Sequence, residues 1–319
     1  MRQMLLIAIA LLVAGFGLYW SGISLASIGE AVAAVGWGIG LVVLVRLFVT
    51  LVLALAWRVL GPSSDPAALR DYINVRLVRD AFNSLLPVAQ IGGDVVGARL
   101  LTLRGTAAPL AAASVVTDVF LQIITQFLFT LAGLALLLRY GGGETIAASV
   151  SGGLLVAIPV LIGLLFAQRR GAGAMIMAAV KKLGGGREWA AFAATDAFYA
   201  ALGLIQSRTG VMATSAALHL FAWSFAAVEV YVALLWMGHP VTLAEAFVIE
   251  SLAQAVRGAA FVVPGAIGVQ EGGLVVLCAV FGVPAGPALA LSLVKRLADL
   301  ALGLPGLGIW YWLEGRHAR

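Results

Sequence analysis

Ionisable side chains stand where an apolar chain should have none. Arg46, Asp94, Arg99, Asp118, Glu229, Glu250, Arg257, Glu271, Lys295, Arg296 and Asp299 all fall inside strongly apolar stretches. A charge at the centre of a membrane helix costs about 2.5–3.5 kcal/mol on insertion scales, so each must be paired or hydrated, and each is a functional candidate. Asp94 and Glu271 could hold a polar group, or a proton that drives a cycle. They could equally cap the helices that follow them, where an acid near the N-terminus gains about 0.3–1 kcal/mol. Arg99 and Arg257 carry the planar fork that grips an oxyanion with two hydrogen bonds. Glu250 precedes Arg257 by two helical turns, so an internal ion pair is the competing use of that arginine. Lys295, Arg296 and Asp299 share one helix at spacings that permit local pairing.

Catalytic chemistry finds less support. The acids are scattered, and neither D-x-D nor H-E-x-x-H occurs. His219 and Glu229 lie on one span with no spacing that would hold a metal, and an interhelical bond suits them better than a proton relay. The single cysteine, Cys278, forbids an intramolecular disulfide and reads as a packing residue. No catalytic residue, metal or cofactor is expected, and no basic helix or aromatic motif points to nucleic acid.

The elements that position these charges follow from composition and breaks. With 62% hydrophobic and 11% charged residues, the chain is an integral membrane protein and not a soluble one. Residues 4–20 read as a retained first span, followed by a linker to residue 35; 36–60 is a second span, interrupted by Arg46. Residues 75–86 and 91–103 are half-length apolar pieces on either side of Pro87. Such a helix–break–helix hairpin is tolerated in a membrane only where its broken backbone packs in protein or lines water. Spans at 108–138 and 146–168 come next, then a basic segment with an amphipathic helix over 189–205 that is expected to lie on the membrane surface. A span at 211–236 leads to a second hairpin, 243–263 and 266–280, broken around Pro264. The last span, 284–312, carries G-L-P-G-L-G, which predicts a kink. The fold class is thus an all-α polytopic membrane protein of about six full spans.

The two breaks are related. The words L-L-P-V-A-Q-I-G-G-D and V-V-P-G-A-I-G-V-Q-E each place an acid seven residues after a proline, and an offset of 177 carries Pro87 onto Pro264 and Asp94 onto Glu271. Gly92, Gly93, Gly265 and Gly268 are expected to share with the prolines the work of breaking the helices. The same offset lays the span at 211 onto that at 36 and brings Asp118 within one position of Arg296, which predicts an acid and a base facing each other across a pseudo-twofold. Three crossings separate the start of one copy from the start of the other, so the repeats are inverted, an architecture of many secondary transporters. The whole chain, 1–319, is one membrane domain. Repeat 1 covers 36–140 with its re-entrant hairpin at 75–104, 141–210 connects, and repeat 2 covers 211–313 with its hairpin at 243–281. Basic residues, Arg76 and Arg79 among them, gather on one side of this layout, which orients both termini to the cytoplasm.

These hairpin words, in an all-helical chain of this length, resemble the lysylphosphatidylglycerol synthase transmembrane-region family, and within it the hopanoid-associated members. The resemblance implies a flippase-like inverted-repeat fold and movement of a polar-headed lipid, a hopanoid or a phospholipid, across the bacterial inner membrane. The soluble aminoacyl-transferase domain of the family's resistance factors has no counterpart in this sequence, so lipid synthesis is not the expected activity. A membrane-embedded transferase and a scaffold for lipid-synthesis enzymes are the alternatives. Expected partners are the lipid itself, lipid-synthesis enzymes or a second copy of the chain.

Overall fold

The computed structural model describes Glu30, Ala33 and residues 35–62, 64–86, 92–140, 195–259 and 268–317. The expected spans at 4–20 and 146–168, the bulk of the basic segment, and Pro87, Pro264 and Gly265 lie outside the described residues. Everything described is helix joined by short turns, with no strand among the described residues: α1 Gly38–Leu60, α2 Leu69–Leu85, α3 Gly92–Leu103, α4 Ala108–Tyr140, α5 Thr195–Ser207, α6 Thr209–Trp236, α7 Leu243–Ala259, α8 Val269–Val280 and α9 Ala285–His317. The protein is an all-α polytopic membrane protein. Helices α1, α4 and α6 are long and apolar enough to cross a bilayer. Helix α9 has the length, 33 residues, but carries charges. It continues as helix through Pro305.

An internal repeat is visible in the element boundaries. The offset of 177 carries α3 onto α8 and α4 onto α9 residue for residue, and brings α2 to within three residues of α7. Packing repeats as well: α2 lies on α9 as α7 lies on α4. Gly303 meets Ala81, and Gly258 meets Gln126, which is one contact written twice under the offset.

The copies are inverted. Gly38, at the start of α1, sits against the Trp236 ring at the end of α6. Phe48 and Phe225 meet at mid-length, with ring centroids 4.7 Å apart. Ser215, near the start of α6, donates to the Ala56 carbonyl at 2.9 Å. Helices α1 and α6 therefore run antiparallel, and the hairpins that follow them enter the bundle from opposite ends. Each returns to its own end. Thr106, just past α3, donates to Asp65, just before α2, at 2.7 Å; Val241 and Val283, flanking the second hairpin, fall in one buried cluster. The second arms, α3 and α8, have 12 residues each. They rise about 18 Å at 1.5 Å per residue, well short of a roughly 30 Å hydrocarbon layer.

Glycine serves the two hairpins differently. Gly92 and Gly93 were expected in the break, yet both are helical and open α3. A β-carbon on Gly93 would collide with the Arg79 carbonyl and lie 2.7 Å from Asn83 Oδ1, so this glycine lets the two arms touch. Its N–H donates to Asn83 Oδ1 at 2.9 Å. Gly268 does turn the chain: it stands before α8 with φ +81°, a conformation costly to any residue with a β-carbon. The amphipathic segment also departs from expectation. In its described part, α5, the residues Phe198, Leu202 and Ile205 are buried in a core cluster with α4, so the apolar stripe is spent on protein contact. Cys278 is buried in the core, as expected.

Candidate functional site: an ionised chamber on the pseudo-twofold

Between the two first arms lies a cavity of about 310 Å³, walled by α2 and α7 and completed by α1, α3, α4, α6 and α9. Its wall is ionised. Arg46 of α1, Arg76, Arg79 and Asp80 of α2, and Asp94 of α3 come from repeat 1. Glu229 of α6, Glu250 and Arg257 of α7, and Asp299 of α9 come from repeat 2. Gln122, Gln126 and Gln254 fill the gaps.

Two networks hold these charges. On the repeat 1 side, the Arg79 guanidinium bridges Asp94, at 2.6 Å, and Asp118, at 2.8 Å. It lies over the Trp57 ring, 4.3 Å from the centroid, an additional attraction for a cation. Asp118 is fully buried and also accepts from Gln122 at 2.8 Å. Its second oxygen meets His219 Nε2 at 3.1 Å. On the repeat 2 side, Arg46 donates Nε and Nη2 to the two oxygens of Glu229 at 2.8 and 2.6 Å, and Nη1 to Asp299. This two-pronged geometry is among the stronger ion pairs available to a buried carboxylate. Lys295, 3% exposed, reaches Glu250 at 2.8 Å and Glu229 at 3.6 Å. Glu250 also accepts from Gln254 at 2.8 Å.

The structure sorts the sequence candidates into layers. Asp94, Glu250, Arg257 and Asp299 line the chamber. Asp118 and Lys295 stand behind the wall, each bonded to a residue that lines it. Glu271 and Arg296 form a pair of their own at 2.6 Å, outside the lining. Glu271 also accepts the Gly268 N–H at 2.7 Å, so the helix-capping role anticipated for it is realised. Arg99 is drawn away to Glu314 at 2.8 Å, near the end of α9, and takes no part in the wall.

Three expected pairings are replaced. Asp118 does not face Arg296: their side chains reach Arg79 and Glu271, each within its own repeat. Glu250 pairs with Lys295 and not with Arg257. Lys295, Arg296 and Asp299 take partners on other helices, Glu250, Glu271 and Arg46. His219 and Glu229 are in interhelical bonds, as expected, but with Asp118 and Arg46.

Sequence reasoning missed half the wall. Arg76 and Arg79 enter the sequence reading only as basic residues of the cytoplasmic side, yet they are 5% and 2% exposed. Their spacing with Asp80 puts all three on one face of α2, and that face turns inward. Arg46 and Glu229 stood out as buried charges without an assignment. Gln122, Gln126 and Gln254 gave no signal, since an isolated amide is common on any helix. No group of three or more metal-ligating side chains occurs among the described residues.

No curated protein and no solved structure matches the chain. A family model described as the lysylphosphatidylglycerol synthase TM region matches residues 6–306. The broken-hairpin words, the inverted packing and this match over nearly the full length agree: the chain belongs to the lysylphosphatidylglycerol synthase transmembrane-region family.

Proposed function

We propose that this chain translocates a polar-headed lipid, a hopanoid or a phospholipid, across the bacterial inner membrane and performs no covalent chemistry on it. The observation that carries this reading is the ionised chamber lying between hairpins that enter from opposite ends. A cavity of about 310 Å³ suits a headgroup and not a pair of acyl chains, which would remain in the surrounding lipid. Inverted repeats meeting at a polar midpoint let one half rock against the other and expose the chamber to each leaflet in turn. A family described by a lipid synthase's membrane region is consistent with a lipid cargo. The resemblance to the hopanoid-biosynthesis-associated protein HpnL makes hopanoids the first cargo to test. Both termini are assigned to the cytoplasm. That orientation keeps its support without Arg76 and Arg79, because Arg58, Arg70, Arg104 and Arg208 stand at one end of the described bundle.

Reconstituted vesicles test the proposal. With wild-type protein, fluorescent lipid placed in one leaflet becomes accessible in the other. Asp94→Ala, which strips the wall partner from Arg79, is expected to slow this at least about tenfold, and Glu271→Ala, outside the wall, much less. Chemically altered lipid among the products, with no wild-type movement between leaflets, would sink the reading in favour of a transferase.

A further inference from the structure

One of the two charge networks is short of a cation, and it ends on a histidine. On the repeat 2 side, Glu229, Glu250 and Asp299 are matched by Arg46, Lys295 and Arg257. On the repeat 1 side, Arg76 is paired with Asp80, and Asp94 and Asp118 are left to share Arg79. The remaining member of that network is His219, fully buried, with Nε2 3.1 Å from Asp118. Its Nδ1 is buried too and has no hydrogen-bond partner among the described residues. A neutral ring leaves one negative charge in excess inside a membrane protein, where an unbalanced charge is expensive. A proton on the ring cancels it, because the imidazolium then faces Asp118. The opposing cost is the second N–H, which this packing leaves without an acceptor. These two costs act against each other on the side chain type that ordinarily changes charge between about pH 5 and 8.

The same bond joins the halves of the molecule. His219 belongs to repeat 2 and Asp118 to repeat 1, so the contact crosses the line along which the repeats must part. Two arginines also make ion pairs across that line, Arg46 with Glu229 and Asp299, and Arg99 with Glu314. A guanidinium keeps its charge at every working pH. Among these links, the one at His219 is the one a proton can strengthen.

We propose that His219 is a proton-binding site that locks the two repeats together. The proton passes from water to Nδ1, Nε2–H stays on Asp118, and no other bond changes. With the proton the link is an imidazolium–carboxylate pair, charge-assisted and therefore stronger. Without it the link is a neutral hydrogen bond, which gives way more readily when the halves rock. The charges around α6 are accounted for on every helix packed against it. Helix α4 brings Asp118, with Arg79 and Arg76 of α2 and Asp94 of α3 behind it. Helix α1 brings Arg46, α7 brings Glu250, and α9 brings Lys295 and Asp299, all within the balanced network. Helix α5 brings Tyr199, whose buried hydroxyl has no partner among the described residues. Glu229, on α6 itself, is held by Arg46, so the proton is kept at one site and not handed along the helix. What the lock restrains rests on the translocation reading above; that the site takes a proton does not.

The test uses the full-length protein. The chain has 3 histidines, so His239→Gln with His317→Gln leaves His219 as the sole imidazole. In detergent, nitrogen NMR of that histidine-labelled variant should show the ring passing from the neutral to the doubly protonated pattern as pH falls from about 8 to about 5. A ring that keeps one charge state across this range overturns the proposal. This reading needs no change at His219 and stands even if a variant there does not fold. The lock is read by hydrogen exchange, wild type against His219→Gln at the same pH, since glutamine offers Asp118 a neutral donor and takes no proton. Amides of α4 and α6 should exchange at least about threefold more slowly in wild type near about pH 5, and equally in both near about pH 8. Equal protection at both ends overturns the lock. In vesicles held at the same pH on both sides, the probe is a fluorescent phosphatidylglycerol, whose phosphodiester stays ionised throughout. Wild type should move it at least about threefold more slowly near about pH 5 than near about pH 8, and His219→Gln at one rate throughout. A pH response that survives the substitution overturns the proposal. Proton uptake and protection as expected, with no lipid movement at any pH, would reject translocation and leave the lock standing. Movement with a ring that never changes charge would do the reverse.

Discussion

The two hairpins share a plan and carry opposite wiring. In repeat 1 the first arm is cationic, with Arg76 and Arg79, and it reaches an acid on the long helix, Asp118. In repeat 2 the first arm is acidic, with Glu250, and the long helix brings the cation, Lys295, at the position that the offset assigns to Asp118. Asp80 and Arg257, equivalent under the same offset, are again opposite in sign. The acids at the start of the second arms differ in a second way. Asp94 is bonded across its own hairpin to Arg79, whereas Glu271 is bonded to Arg296 on α9. Hairpin 1 is thus zipped to itself and hairpin 2 is tied to its neighbour. A symmetric dimer of identical repeats would set like charges against each other on the axis. The inverted wiring lets the two halves share one chamber with nearly balanced charge.

The largest effect should come from the most enclosed member of either network. Asp118 is fully buried and serves Arg79, Gln122 and His219 together. Asp118→Leu takes from the buried Arg79 one of the two acids it bridges and removes the carboxylate that His219 and Gln122 share, and breaking such a buried pair typically costs about 3–5 kcal/mol. Its counterpart Lys295→Met should cost less, because Glu250 keeps Gln254 and Glu229 keeps Arg46. Thermal unfolding of the purified variants in one detergent ranks them. Equal losses would mean that the enclosure of Asp118 adds nothing.

A double-mutant cycle then separates zipped from tied. Arg79→Gln with Asp94→Asn should show a coupling of about 2 kcal/mol, within the range for bonded neighbours. The nearest counterpart in hairpin 2, Arg257→Gln with Glu271→Gln, lies one position out of register, since the offset carries Arg79 onto Val256, and should show none beyond about 0.5 kcal/mol because Glu271 is held by Arg296. Substantial coupling in the second cycle would mean that the two hairpins are wired alike.

How much of this was legible in the sequence follows from what encodes it. The breaks could be read because a proline interrupts each apolar run, although Gly92 and Gly93 open α3 and only Gly268 turns the chain, and the inversion could be read by counting crossings. Identity of the buried charges could be read too, since an arginine in a hydrocarbon run has no bland explanation. Their partners could not. Glu250 with Arg257 and Lys295 with Asp299 had correct helical spacing, but local spacing says only that two side chains are able to meet. The choice was made by α1 and α9, which bring Arg46 and Lys295 into the same volume through contacts 183 and 45 residues apart in sequence. Arg76 and Arg79 misled for the opposite reason: in a first arm as polar as α2 they read as charges held on the cytoplasmic side, and only the packing of the neighbouring helices turns their face into a wall.

The smallest expected difference tests how closely each hairpin is shut. Gly93 lies against the backbone carbonyl of Arg79, while Gly273, on the second arm of hairpin 2, faces the Val256 side chain, where a β-carbon would stand 3.0 Å from Cγ1. A backbone cannot step aside without moving the arm that carries Arg79, but a valine methyl gives by a few tenths of an ångström. Gly93→Ala should therefore cost about 1–2 kcal/mol, in the lower part of the range for overpacking, and Gly273→Ala less than about 1 kcal/mol. The alanine at 93 has a further consequence that the one at 273 lacks: pushing α2 from α3 lengthens the Arg79–Asp94 pair and should slow lipid movement more than stability alone explains. If the two alanines cost the same and leave movement between leaflets alike, the zipped and tied hairpins differ in their ion pairs but not in how tightly their arms close.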